Sequence, residues 1–167
     1  MMTTHLKPGL RPYLPADAPI CAAIAEASIA ELTADDYTEA QQEAWIASFP
    51  DEDELSQRLS AQLTLIATLG ESTVGFASLK GGEHIDMLYV HPEAVGQGVA
   101  TTLLDALEKL AAARGATKLS ADVSDTAQSF FAHRGYVARQ RNSIPCGDEW
   151  LANTTMAKTL ENSRKPT

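Results

Sequence analysis

The segment Val95-Gly96-Gln97-Gly98-Val99-Ala100 has the make-up of a turn that can hold an anion. Its alternating glycines let the backbone approach a ligand with no Cβ in the way. The run before it, Ile85-Asp86-Met87-Leu88-Tyr89-Val90, reads as a buried strand. His91-Pro92-Glu93-Ala94 reads as a short break, because a proline cannot extend a ladder. Beyond the glycines, Leu103, Leu104, Leu107, Leu110 and Ala111 recur at helical spacing. Strand, glycine turn and helix in that order leave several backbone N–H groups unpaired at the positive end of a helix, where a phosphate can bind. A glycine turn of this kind can also do no more than shape the chain. Two narrower readings fail on spacing: position 101 is Thr, so G-x-G-x-x-G is absent, and no Gly-Lys-Ser/Thr follows.

Asp86 is the second group with chemical potential. A carboxylate inside an apolar run is costly unless it is paired or used. On a regular strand it shares a face with Leu88 and opposes Tyr89. Partial burial should raise its pKa toward the range of a proton acceptor. Asp86 therefore reads as a general base, as a partner for an amine, or as a structural hydrogen-bond acceptor. His5, His84, His91 and His133 do not cluster at ligand spacing, so no metal is expected.

The elements that must position these groups fit one domain, residues 1–167 with a core of about 9–160. Gly9 to Tyr13 is a short strand. A helix opens at Pro15-Ala16-Asp17, with Ile20, Ala23, Ile24 and Ala27 as its apolar face, and Ser28 to Asp36 is an ill-defined connection. Thr38 can cap a second helix, and Pro50 to Asp53 starts a third through Leu55 and Leu59. Strands over 63–68, 74–79 and 85–90 form an antiparallel meander. The helix over 99–114 crosses over to a strand at 118–123, which should lie parallel to 85–90. A helix over 126–134 and two antiparallel strands, 137–145 and 149–159, complete the order. The tail from Glu161 is polar and is expected to fray.

Net charge is −9, from 13 basic and 22 acidic residues, which argues against nucleic-acid binding. No apolar run reaches the ~20 residues that span a bilayer. The first eight residues lack the apolar core of a secretion signal, and Cys21 and Cys146 make no metal-type spacing. A cytoplasmic protein with reduced thiols is the expectation.

The element order and the loop together resemble the GNAT superfamily of acyl-CoA-dependent N-acyltransferases. The resemblance runs from about residue 9 to 160 and is most specific in 85–136, which also contains Ala127-x-x-Phe130-Phe131-x-x-x-Gly135-Tyr136. The chain is also similar to the YafP-like branch of bacterial acetyltransferases, on Ile85-Asp86-Met87-Leu88, Phe130-Phe131 and Trp150. The family loop reads Gln/Arg-x-x-Gly-x-Gly/Ala. Gly98 and Ala100 match it, while Val95 replaces the polar first residue and leaves the backbone donors in place.

The resemblance implies an α/β (α+β) fold: a mixed, mostly antiparallel sheet of about seven strands, flanked by helices and splayed between the fourth and fifth strands. It implies acetyl-CoA as co-substrate, held by Leu88, Tyr89 and Val90, by the loop Val95, Gly96, Gln97, Gly98, Val99, Ala100 and Thr101, and by Ala127, Phe130 and Phe131. It also implies Asp86 as the base, at a position where many members carry Glu. The Tyr that many members use to protonate the leaving thiol is Phe131 here, which cannot donate. The Asn near the start of that helix is Ser124. Ser124, Tyr37, Tyr89 and His133 are the remaining candidates. Tyr37, Trp45, Asp148 and Trp150 are candidates for the acceptor site. The implied activity is acetyl transfer to a primary amine of a small molecule by direct attack on the thioester, in a monomer or homodimer. A CoA-binding sensor without catalysis and a peptide or protein acetyltransferase are the alternatives.

Overall fold

The computed structural model describes residues 6–161; the first five residues and the polar tail from 162 lie outside them. Strand β1 (Gly9–Pro12) leads through a 3-10 turn into α1 (Ala18–Leu32), followed by α2 (Glu39–Ser48) and α3 (Glu52–Ala61). Then come β2 (Leu63–Leu69), β3 (Ser72–Lys80), β4 (His84–Val90), α4 (Val99–Ala113), β5 (Lys118–Ser124), α5 (Gln128–His133), β6 (Val137–Cys146) and β7 (Glu149–Thr159). The strands form one mixed sheet in the order β1-β2-β3-β4-β5-β7-β6. Every pairing is antiparallel except β4 with β5, as the crossover through α4 requires.

Helices cover both faces of the sheet. Leu103, Leu104, Leu107 and Ala111 of α4 pack on one face with Ala77, Leu79, Leu119 and Val123. Cys21, Ile24 and Ala25 of α1 and Leu55 and Leu59 of α3 pack on the other with Ile66, Phe76 and Met87. Local chemistry sets the helix starts. Thr38 and Gln41 exchange reciprocal backbone bonds at α2 (3.1 and 2.8 Å), and Asp51 accepts from the Glu54 N–H at α3 (2.9 Å).

Two expectations are corrected along α1. The helix does not stop near Ala27 but runs to Leu32, since nothing in Ser28-Ile29-Ala30-Glu31-Leu32 breaks it. Its last turn is closed by the Thr33 hydroxyl on Ile29 O (2.6 Å) and by Gln42 Nε2 on Ile29 O and Ala30 O. Its buried stripe is Cys21, Ile24, Ala25, Ser28 and Ile29, while Ile20 and Ala23 face outward. The run from Ile20 to Ala27 is almost uniformly apolar, so its hydropathy carries little phase.

Candidate active site

The parallel ladder between β4 and β5 is short. Only His84 with Ser120 and Ile85 with Ala121 pair before the strands separate. The gap opens into a cavity of about 430 Å³ lined by Ile85–Val90 on one side and Ala121–Ser124 on the other. It continues to the loop before α4, to Thr126, Ala127, Phe130 and Phe131, and to Ser28, Ile29, Leu32, Thr33 and Trp45.

The glycine loop has the expected conformation. Gly96 and Gly98 sit at φ 84° and 81°, left-handed angles that favour glycine. A Cβ on either would meet nothing within 4 Å, so backbone angle and not crowding demands glycine here. The first helical bond of α4 runs from the Thr102 N–H to Gly98 O (2.9 Å). Among the described residues no acceptor engages the N–H groups from Gly96 to Thr101. Gly75 on β3 works oppositely. A Cβ there would lie 3.0 Å from both Tyr89 O and Val99 Cγ1, so its absence lets the start of α4 settle onto the sheet.

Asp86 does not take the place a regular strand would give it. Ser78 pairs with Met87 and Leu79 with Ile85, so Asp86 has no opposite residue and sits at a bulge. Leu88 and Val90 pack against the α4 side. Asp86 instead turns to the α3 side, where Arg58 donates through Nε and Nη2 (2.6 and 2.7 Å) and Gln62 through Nε2 (2.8 Å). Bulges re-aim side chains in this way. The expectation of a raised pKa is overturned as well. Burial pushes the carboxyl up, but the Arg58 and Gln62 bonds outweigh it and hold it below its ordinary value.

The other expected residues divide. Ser124 lines the cavity, and its Oγ accepts from the Ala127 N–H (3.2 Å). Tyr89 lines it too, with its ring against Phe49 and Phe76, and burial pushes its hydroxyl up to about 12. Leu88, Val90, Val95, Gly96, Gly98, Val99, Ala100, Thr101, Ala127, Phe130 and Phe131 all face the cavity. Gln97 does not; it is exposed and donates to Glu93 O (3.2 Å). Tyr37 is also not brought to the cavity wall. Its hydroxyl donates to Ala152 O (2.6 Å) and accepts from the Asp125 N–H (3.0 Å), and burial raises its pKa. It ties the α1–α2 connection to β7 and to the approach to α5. His133 lies outside the wall, and Asp148 and Trp150 are exposed. Trp45 does line the cavity, edge-on to Tyr37 at 5.5 Å.

Sequence reasoning missed Arg58 and Gln62, although their i, i+4 spacing at the end of a polar helix was a usable signal. The cavity wall from Ser28 to Thr33 is not legible in the sequence either, because the apolar run before it carries no phase to show that α1 continues to Leu32.

Residues 33–160 match the acetyltransferase (GNAT) domain family. The chain is 30% identical over 147 residues to the uncharacterized N-acetyltransferase YafP of Escherichia coli K12, covering 88% of this chain and 93% of that one. It is 62% identical to a GCN5-related N-acetyltransferase from Rhodopseudomonas palustris, also described as "Aminotransferase, Class-II" (TM-score 0.90, 96% of this chain and 100% of that one). At 20% identity its fold is similar to that of the PaiA N-acetyltransferase of Thermoplasma acidophilum, solved with coenzyme A (TM-score 0.75, 92% and 99% covered).

Proposed function

The chain belongs to the GNAT acetyltransferase family, and on that premise we propose that it is an acetyl-CoA-dependent N-acetyltransferase of small-molecule primary amines, with residues 9–160 working as one domain. One observation carries the reading: unpaired N–H groups from Gly96 to Thr101 border the same cavity that opens between β4 and β5. The PaiA relative is described in complex with coenzyme A, which agrees with that assignment.

Acetyl-CoA supplies an acyl group activated as a thioester. The loop from Val95 to Thr101 would hold its pyrophosphate by backbone N–H groups, at a helix end whose dipole favours negative charge. The β4 edge, freed of its neighbour beyond Ile85, offers the backbone of Leu88, Tyr89 and Val90 to the pantetheine arm. An N–H aimed at a carbonyl oxygen gaining charge is worth about 3 kcal/mol of barrier. Ala127, Phe130 and Phe131, which line the cavity, would shield the arm from water. Asp86, ionised and bound to Arg58 and Gln62, positions the β4 bulge. Small acceptors are favoured over extended peptides because β7 is tied to the α2 region next to Trp45: Tyr37 donates to Ala152 O, and Gln41 Nε2 donates to Trp150 O (2.8 Å).

Thermal unfolding with and without acetyl-CoA tests the reading. Ligand at about 100 times its dissociation constant should stabilise the protein by about 2.7 kcal/mol. No shift at saturating ligand would sink it.

A further inference from the structure

The acceptor end of the cavity is walled by Ile29, Leu32 and Trp45, beside the hydroxyls of Ser28 and Thr33. The Thr33 hydroxyl is already engaged, donating to Ile29 O and accepting from Gln42 Nε2 (2.9 Å). Among the described residues that line the cavity, only Asp86 and Asp122 carry charge, and none is Lys, Arg, His, Glu or Cys. Asp86 is committed to three donors from Arg58 and Gln62, with the Lys80 charge and the Tyr89 phenol as the other ionisable groups acting near it. Asp122 stands on the β5 side, half exposed, accepting from Thr155 Oγ1 (2.7 Å) with His84 Nε2 at 3.9 Å.

An alkylammonium keeps its proton to about pH 10, as a lysine does, and must lose it before its nitrogen can attack. The wall of Ile29, Leu32 and Trp45 offers neither a counter-ion for that cation nor a base for its proton: Asp86 is paired, and Asp122 stands outside that wall on β5, drawn to Thr155 and His84. Phe131 adds a third constraint, since it cannot protonate the departing sulfur.

Building on the acetyltransferase reading, we propose that the acceptor is an amine already neutral at physiological pH and carried on an apolar body, that is, an aromatic amine. Its nitrogen lone pair forms the N–C bond to the thioester carbonyl carbon. The C–S bond breaks with its electron pair going to sulfur, and the one proton shed by nitrogen ends on that sulfur. Amine plus acetyl thioester gives acetamide plus thiol, with no proton left for an enzyme base to hold.

Aniline and cyclohexylamine make a matched pair of probes, with the same six-carbon ring and opposite basicity. Calorimetric titration onto the protein saturated with CoA reads binding apart from turnover, and thiol release from acetyl-CoA reads transfer. Near pH 7 aniline should bind, and should be acetylated with a kcat/KM about tenfold or more above that of cyclohexylamine, whose rate should climb about tenfold per pH unit as free base appears. Spermidine and 4-aminobenzoate, which bring extra charge to the apolar wall, should fall about tenfold or more below aniline. Cyclohexylamine or spermidine acetylated as well as aniline near pH 7 would overturn the inference and leave the acetyltransferase reading standing. Aniline failing to bind the CoA-saturated protein would overturn it too. No thiol release with any of the four amines, together with no stabilisation by acetyl-CoA, would overturn the acetyltransferase reading itself.

Discussion

The two ends of the cavity are made differently. The end at the start of α4 is built from backbone: glycines at left-handed angles and a run of unpaired N–H groups. The end against α1 and α2 is built from side chains, apolar ones beside an ion pair drawn from β4 and α3. Backbone recognition tolerates a change such as Val95, which is 53% exposed and leaves every donor in place. Side-chain recognition has no such tolerance, because each contact is one residue's identity. On this reading the first end is set by the co-substrate and the second distinguishes this chain's acceptor.

The comparison can be broken most forcefully at Gly98. Gly98→Val has open space around it but forces a β-branched residue to φ 81°, at a cost of about 1–2 kcal/mol. The strain should move the first turn of α4 and abolish the roughly 2.7 kcal/mol stabilisation by acetyl-CoA. An undiminished thermal shift would mean that the loop geometry does not matter.

Arg58→Met tests the other end. It leaves the Asp86 carboxylate with Gln62 alone and should cost about 1–2 kcal/mol, less than a fully buried pair because the guanidinium is partly exposed. Asp86 is held below its usual pKa in the folded protein. Its share of stability is therefore present above the unfolded value of about 3.9 and is lost as pH falls through the folded value. The parent should lose stability on acidification below about pH 4, and Arg58→Met should lose less. Freed from Arg58, Asp86 should also rise toward a usable base and lift activity on cyclohexylamine relative to aniline. Acid unfolding curves and paired acceptor assays read both effects.

Trp45→Ala removes a large apolar wall without touching the loop. The KM for aniline should rise about tenfold, equal to roughly 1.4 kcal/mol, with the thermal shift by acetyl-CoA unchanged. A weakened shift would mean that the two ends are not separable. Val95→Gln should do least, tightening acetyl-CoA by about 0.5–1 kcal/mol at most. A larger gain, read by calorimetry, would show that side chains share the phosphate end after all.

The same division explains what was legible in the sequence. Strand and helix limits from β2 onward follow from period-2 and period-3.6 patterns and from Gly and Pro, all local signals. The glycine turn before α4 is local too, which is why its conformation followed from its spacing. Asp86 was misplaced because its direction depends on a bulge, and that bulge is decided by pairing with β3 and by donors 28 and 24 residues away. Tyr37 read as a proton donor because a phenol's chemistry is visible in a sequence. Its partners on Asp125 and Ala152, 88 and 115 residues distant, are not.

The short ladder between β4 and β5 has a mechanical consequence. Within the sheet two residue pairs are all that join β1–β4 to β5–β7, so beyond them the two halves are held together by the core under α4. Amides bordering the seam should exchange with solvent through sub-global openings well before either half unfolds. A ligand lying in the gap would bridge the two strands that the ladder leaves apart, so its occupancy should slow exchange at the seam.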